Sequence, residues 1–127
     1  MKKKLAKITK ARLEIKDRGI LSFWIWVDYE EGCSQGIGGI VLDTWDEEKG
    51  RRVGTTFGTE MIRQLLICVG VNDFSEMKGK YIWVLGEGDC LSFTPKGIKS
   101  LNTEESKGTE VIWEDILKEF GEENEHH

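Results

Sequence analysis

Two neighbouring stretches hold the residue types that could grip an anion. The first, "GCSQGIGGIVLD" (residues 32–43), packs Gly32, Gly36, Gly38 and Gly39 into eight residues ahead of an apolar run. The second, "RRVGTTFGTEMIRQ" (residues 51–64), sets Arg51 and Arg52 before Gly54, Thr55 and Thr56 and then enters a helical pattern. Glycine-rich turns leading into helix N-termini cradle nucleotide phosphates, so both stretches are tested against that chemistry. The glycine spacing is not G-x-G-x-x-G, it leads into a strand pattern, and no G-K-[ST] follows, so both nucleotide fingerprints fail on context. Two readings of the glycines stand. One is a turn and a strand that another backbone or a ligand approaches closely. In the other, Gly38 and Gly39 leave room for a flat ligand or a neighbouring subunit.

The second stretch is better placed for an anion. Free N–H groups and the positive dipole end at a helix N-terminus favour negative charge. Arg51 or Arg52 can fork onto a phosphate, and Thr55 and Thr56 can add hydroxyl bonds. The same residues also suit a capped helix with solvated arginines, because Thr55 and Thr56 are both N-cap candidates. Five tryptophans, at 24, 26, 45, 83 and 113, are many for this length. They read as core, or as stacking platforms for bases; Trp24 and Trp26, or Trp83 near a sheet edge, suit the second role.

Catalysis is poorly supported. The two histidines are the last two residues, so the body of the chain lacks the usual general base and cannot build a Cys-His or Ser-His-Asp arrangement. Carboxylate pairs such as Asp28 with Glu30 and Asp43 with Asp46 are expected by chance in so acidic a chain. Cys33, Cys68 and Cys90 are widely spaced with no C-x-x-C, which argues against a zinc site or a disulfide framework and for a reducing cytoplasm. No metal or cofactor is expected, and the expected protein is not an enzyme.

At 127 residues, with 39% hydrophobic and 32% charged content, the chain suits one soluble α+β domain over residues 1–121. Residues 122–127 read as an acidic tail ending in His126 and His127, a pair that also fits a tag remnant. No apolar run approaches the roughly 20 residues needed to span a bilayer, and no signal peptide is read at the basic N-terminus. The net charge of −5 argues against a general DNA- or RNA-binding surface, and no DNA or RNA duplex is expected as a partner. Its distribution is lopsided: residues 1–18 carry eight Lys and Arg against two acids, whereas residues 101–127 carry nine acids against two lysines. These are two solvated faces of opposite sign, or ends that attract each other within or between subunits.

The elements that must position these residues follow from periodicity. Residues 6–16 alternate raggedly as a half-exposed strand, and Asp17, Arg18 and Gly19 signal a hairpin turn. Residues 20–29 form a strand apolar on both faces, with Phe23, Ile25 and Val27 on one side and Trp24 and Trp26 on the other. Such a strand is central in a sheet or has one face covered by a partner. Residues 37–45 return as a third strand and residues 46–54 form a charged loop. A helix over 57–69 uses Met61, Leu65 and Val69, flanked by Ile62 and Leu66, and stops at Gly70. A turn or small helix follows, then strands over 80–86 and 90–94, the latter ended by Pro95. After a loop at 102–108, a last helix over 110–120 uses Ile112, Ile116 and Phe120. The order β-β-β-α-β-β-α predicts a mainly antiparallel sheet with two helices on one face.

Four blocks of this chain together resemble a family of small phage proteins. They are Asp28-Tyr29; Gly36, Gly38, Gly39, Leu42 and Asp43; Arg52, Val53, Gly54, Thr55, Gly58, Glu60 and Ile62; and Val69, Gly70, Val71, Gly79 and Lys80. The likeness covers roughly residues 7–85, about two-thirds of the chain, and is to the Thoeris anti-defence sponges. That resemblance implies an oligomeric, non-catalytic protein of the infected bacterial cytoplasm. It would sequester cyclic ADP-ribose-type signals of TIR-domain immunity and, in part of the family, cyclic oligonucleotides, with ligands seated between subunits. On this reading Arg52, Gly54 and Thr55 hold phosphate and Trp83 stacks on adenine. The last third departs from the family pattern, which ends in a more basic, aromatic segment. A competing reading is a phage inhibitor that binds a host defence protein through its acidic C-terminal face.

Overall fold

A computed structural model describes residues 1–89, 91–101 and 110–121. The architecture is α+β and antiparallel. Strands β1 (Lys2–Lys16), β2 (Ile20–Tyr29) and β3 (Ser34–Val41) are followed by a small hairpin, β4 (Asp43–Asp46) and β5 (Arg51–Gly54). Helix α1 (Thr56–Val69) and a 3-10 turn (Phe74–Glu76) lead to β6 (Tyr81–Glu87), β7 (Thr94–Lys99), β8 (Glu110–Ile112) and α2 (Trp113–Phe120). The main sheet runs β3-β2-β1-β6-β7-β8.

The ragged alternation of β1 has a specific cause. Its pairing with β2 slips between Ile8 and Lys10, so Thr9 is the extra residue of a bulge. Before the bulge Ala6 and Ile8 are buried; after it Lys10 and Arg12 are exposed. Lys7 and Lys10, an odd distance apart, therefore share the outward face. The Asp17–Gly19 turn holds all three residues at positive φ, as the hairpin signal required.

The inward face makes the core. Ile8, Phe23, Ile25, Val27, Ile37, Ile82, Val84 and Ile98 are almost fully buried, against Met61, Leu65 and Cys68 of α1. α1 also packs on α2, β7 and β8. The sheet curls far enough that the Gln35 side chain on β3 donates to the Phe93 carbonyl ahead of β7, at 2.9 Å. β2 is thus apolar inward because it faces the core, while Trp24 and Trp26 remain half-exposed outside.

Several expectations are corrected. β3 does not run on to Trp45: it ends at Val41, and residues 43–46 pair with β5 in a separate hairpin made from the supposed charged loop. β3 also starts earlier than residue 37, at Ser34, so Gly36 joins Gly38 and Gly39 inside it while Gly32 precedes it. A bulge opposite Phe23 and Trp24 absorbs Gly38 and Gly39, both at positive φ. Pro95 does not end a strand but lies inside β7, opposite Gly86 at a register shift, where a missing N–H is tolerated. Residues 110–112 are strand, not helix. Val111 and Ile112 are β-branched and pair with Ile98 and Gly97, and α2 begins only at Trp113. The strand expected over 90–94 is not formed: Leu91 and Ser92 make a turn and β7 begins only at Thr94, while Cys90, like the 102–108 loop and the 122–127 tail, lies outside the described residues.

The cysteine expectation also changes, because Cys33 is disulfide-bonded. Wide sequence spacing does not report spatial proximity, which is what sets a disulfide. Cys68 is a buried thiol whose pKa is pushed from 9.0 up to about 12, first by burial and then by the charge of Glu110. Burial, followed by the charge of Glu31, pushes the Tyr29 phenol from 10.0 to about 12. Both groups stay protonated in the fold while the unfolded chain ionises at the ordinary values. Their contribution is therefore whole below about pH 9 and is lost as pH rises toward 12. Denaturant unfolding at about pH 8 and about pH 10.5 should show lower stability at the higher pH, with Cys68→Ala removing part of the difference.

Candidate functional site

The Arg-Thr block closes on Leu42 and Asp43, just after β3, and not on the glycines. Arg52 Nε and Nη2 donate to Asp43 Oδ1 at 3.0 and 2.8 Å, and Nη2 also reaches the Asp43 carbonyl at 3.3 Å. The Asp43 hydrogen bond leads the causes that raise the guanidinium pKa. The second carboxylate oxygen accepts from Leu21 N at 3.2 Å, tying the hairpin to β2. Thr55 is the N-cap of α1: its hydroxyl accepts from Gly58 N at 2.9 Å and donates to the Leu42 carbonyl at 2.8 Å. The guanidinium and hydroxyl that the sequence offers to a phosphate are thus engaged inside the fold.

The remaining residues of that group are placed as follows. Arg51 is exposed, and its Nη1 donates to the Arg52 carbonyl at 3.2 Å. Gly54 pairs with Asp43 across the hairpin, and Thr56 is the exposed first residue of α1. The space at Gly38 and Gly39 is taken from within. A Cβ on Gly38 would stand 2.5 Å from the Phe23 carbonyl oxygen, and one on Gly39 would stand 2.6 Å from the Trp24 ring. The flat group for which Gly39 makes room is Trp24, whereas Gly38 is closed by Phe23.

Trp83 lies elsewhere, half-buried on β6 opposite Leu5. Where β2 turns away, β1 continues, and the gap beside it is a pocket of about 350 Å³ lined by Lys3, Lys4, Leu5, Tyr29, Glu31 and Trp83, with Glu30. Lys3 Nζ lies 4.5 Å from the Trp83 ring centroid. Lys4 Nζ pairs with Glu31 and lies 4.6 Å from the Phe93 ring. The Tyr29 hydroxyl is held by the Gln35 side chain. None of Arg51, Arg52 or Thr55 lines this pocket, so the residues expected to act together are not gathered in it. An indole face, two ammonium groups and a carboxylate are the groups that stack a base, hold a phosphate and accept from a ribose hydroxyl.

Lys3 and Lys4 were not singled out in the sequence, because a run of N-terminal lysines reads as solvated; Glu31 was passed over as part of a turn, and Tyr29 entered only through the Asp28-Tyr29 block of the resemblance. The usable signal was "KKKLAKI" as a strand, which alternates its lysines between the two faces. A second groove of about 630 Å³, lined by Phe57, Ile112, Trp113 and Leu117 among others, lies against α2 and is mainly apolar.

Among the described residues no group of three or more His, Cys, Asp and Glu could hold a metal ion, and no helix is long and apolar enough to cross a membrane. Set against protein-family models, curated proteins and solved structures, the chain finds no match.

Proposed function

We propose that this chain is a non-catalytic binding protein for a nucleotide-type ligand, taken up in the pocket beside Trp83. The observation that carries this is the ammonium of Lys3 lying 4.5 Å from the Trp83 ring at a pocket of about 350 Å³. In this role Trp83 stacks on a base, Lys3 and Lys4 neutralise phosphate, and Glu31 accepts from a sugar hydroxyl once Lys4 turns to the ligand. That volume is at the low end for small-molecule sites. It suits one nucleotide half, with a second subunit of a homo-oligomer covering the rest.

The resemblance to the Thoeris anti-defence sponges supplies the ligands to try: cyclic ADP-ribose isomers, then cyclic di- and trinucleotides. Sequestering them would silence TIR-based antiphage defence in the cytoplasm of an infected bacterium. In that setting the disulfide at Cys33 is open to reduction, so binding is measured with and without reductant.

The test is a thermal-shift screen against these compounds, followed by denaturation and chromatography of the released ligand. At a hundredfold excess over Kd the ligand adds about 2.7 kcal/mol, and it should come off chemically unchanged. Trp83→Ala and Lys3→Gln should abolish the shift. Turnover of the ligand would replace the sponge with an enzyme, and no shift with any compound on folded protein would end this reading.

A further inference from the structure

The outward face of β1, β2 and β6 carries a second arrangement that the pocket does not use. Lys10 stands opposite Trp26 with its ammonium 4.9 Å from the indole centroid, and Lys7 stands opposite Tyr81 at 6.0 Å. Trp24 stacks against Trp26 at 5.9 Å and 25°. The Thr9 bulge puts both lysines on this face. A row of ammonium groups on β1 is therefore flanked by rings on β2 and on β6, which lie two strand spacings apart, about 10 Å. Neither Lys7 nor Lys10 is in an ion pair among the described residues. Two acids share the neighbourhood. Glu14 lies 3.6 Å from Arg12, and Asp28, opposite Lys7, accepts from the Ser34 hydroxyl at 2.7 Å.

We infer that this face binds single-stranded nucleic acid, with bases stacked on Trp26 and Tyr81 and the intervening phosphates on Lys7 and Lys10. Rings alternating with cations match the alternation of base and phosphate along an unpaired strand. A stacked base is worth more than an exposed ammonium over a ring, so the ligand can displace each lysine from its ring onto a phosphate. A duplex keeps its bases stacked inside and offers these rings nothing, and the net charge of −5 disfavours a broad polyanion contact. A second copy of the chain would bring the two lysine rows together, which like charges oppose.

The test uses the full chain and a fluorescein-labelled oligothymidylate of about 12 nucleotides, within the span of known single-strand sites. Anisotropy should rise with the single strand and much less with a duplex of equal length. Affinity should fall with salt at a log–log slope of about −1.4 for two phosphates. Tyr81→Ala and Trp26→Ala should each weaken binding roughly 5- to 150-fold. Lys7→Gln with Lys10→Gln should remove the salt slope. Tyr81 is 48% exposed and both lysines are exposed, so these variants keep the fold even where Trp26→Ala does not. Tyr81 lies outside the pocket lining, so Tyr81→Ala should leave the small-ligand thermal shift intact while weakening oligonucleotide binding, which separates failure here from failure of the pocket. No binding at low salt, equal binding of duplex, indifference to Tyr81→Ala, or self-association of the free chain abolished by Tyr81→Ala would each overturn the inference.

Discussion

Gly58→Ala is expected to destabilise the protein by about 3 kcal/mol or more, read as a lower denaturant midpoint at unchanged slope. Local propensity argues for the opposite sign, since Ala is about 1 kcal/mol better than Gly inside a helix. Packing overrides it. A Cβ on Gly58 would stand 1.8 Å from the Leu42 carbonyl oxygen and 2.8 Å from the carbonyl carbon. That obstacle is backbone, so no rotamer change relieves it and α1 must lift off. Lifting also breaks the latch at the helix start, because the same carbonyl accepts from the Thr55 hydroxyl that caps Gly58. The cap alone is worth about 1 kcal/mol. Gly54→Ala is the matched control: nothing lies within 4 Å of its Cβ, and its φ is not in the left-handed region. It should change stability by no more than about 0.5 kcal/mol. A neutral or stabilising Gly58→Ala would mean that α1 does not rest on Leu42.

The second large effect is expected at the Asp43–Arg52 pair. Their side chains are 9% and 22% exposed, so each charge depends on the other more than a surface pair would. Asp43→Ala also leaves Leu21 N without its acceptor and frees the hairpin from β2. It should cost about 2–4 kcal/mol, and Arg52→Ala somewhat less. In a double-mutant cycle by chemical denaturation, a coupling of about 1–3 kcal/mol is expected. The same cycle decides between structure and ligand. If Arg52 serves chiefly as a phosphate fork, Arg52→Ala will leave stability unchanged and weaken binding instead.

These two predictions explain why part of the site was legible in the sequence and part was not. Thr55 as N-cap, Gly70 as the left-handed stop and the inward stripe of Met61 and Leu65 are local, and the helix is where it was expected. The residues of "RRVGT" were recognised as a cluster that does something. Whether their hydrogen-bonding capacity faces solvent or the fold depends on Asp43 and Leu42, which reach them through a hairpin the sequence presents as a charged loop. Of the two readings of the glycines, a closely approached strand and room for something flat, the local sequence could not choose. That the flat group is Trp24 follows only from the β2–β3 register.

The α+β class, the β1–β2 hairpin with its Asp17–Gly19 turn, the span of β2 and a helix over 57–69, observed from Thr56, were legible in the sequence alone. Each rests on a short-range signal: turn chemistry, alternation, a cap or a helical stripe. Tertiary structure decided the rest. It turned residues 110–112 into a strand by offering them the edge of β7, and let Pro95 sit inside β7 at a bulge. It placed Lys3 beside Trp83 and Lys10 beside Trp26, residues 80 and 16 positions apart in the chain. The physical reason is that a strand's side chains alternate locally, but which strand lies beside it, and in what register, is set by burial of the whole inward face.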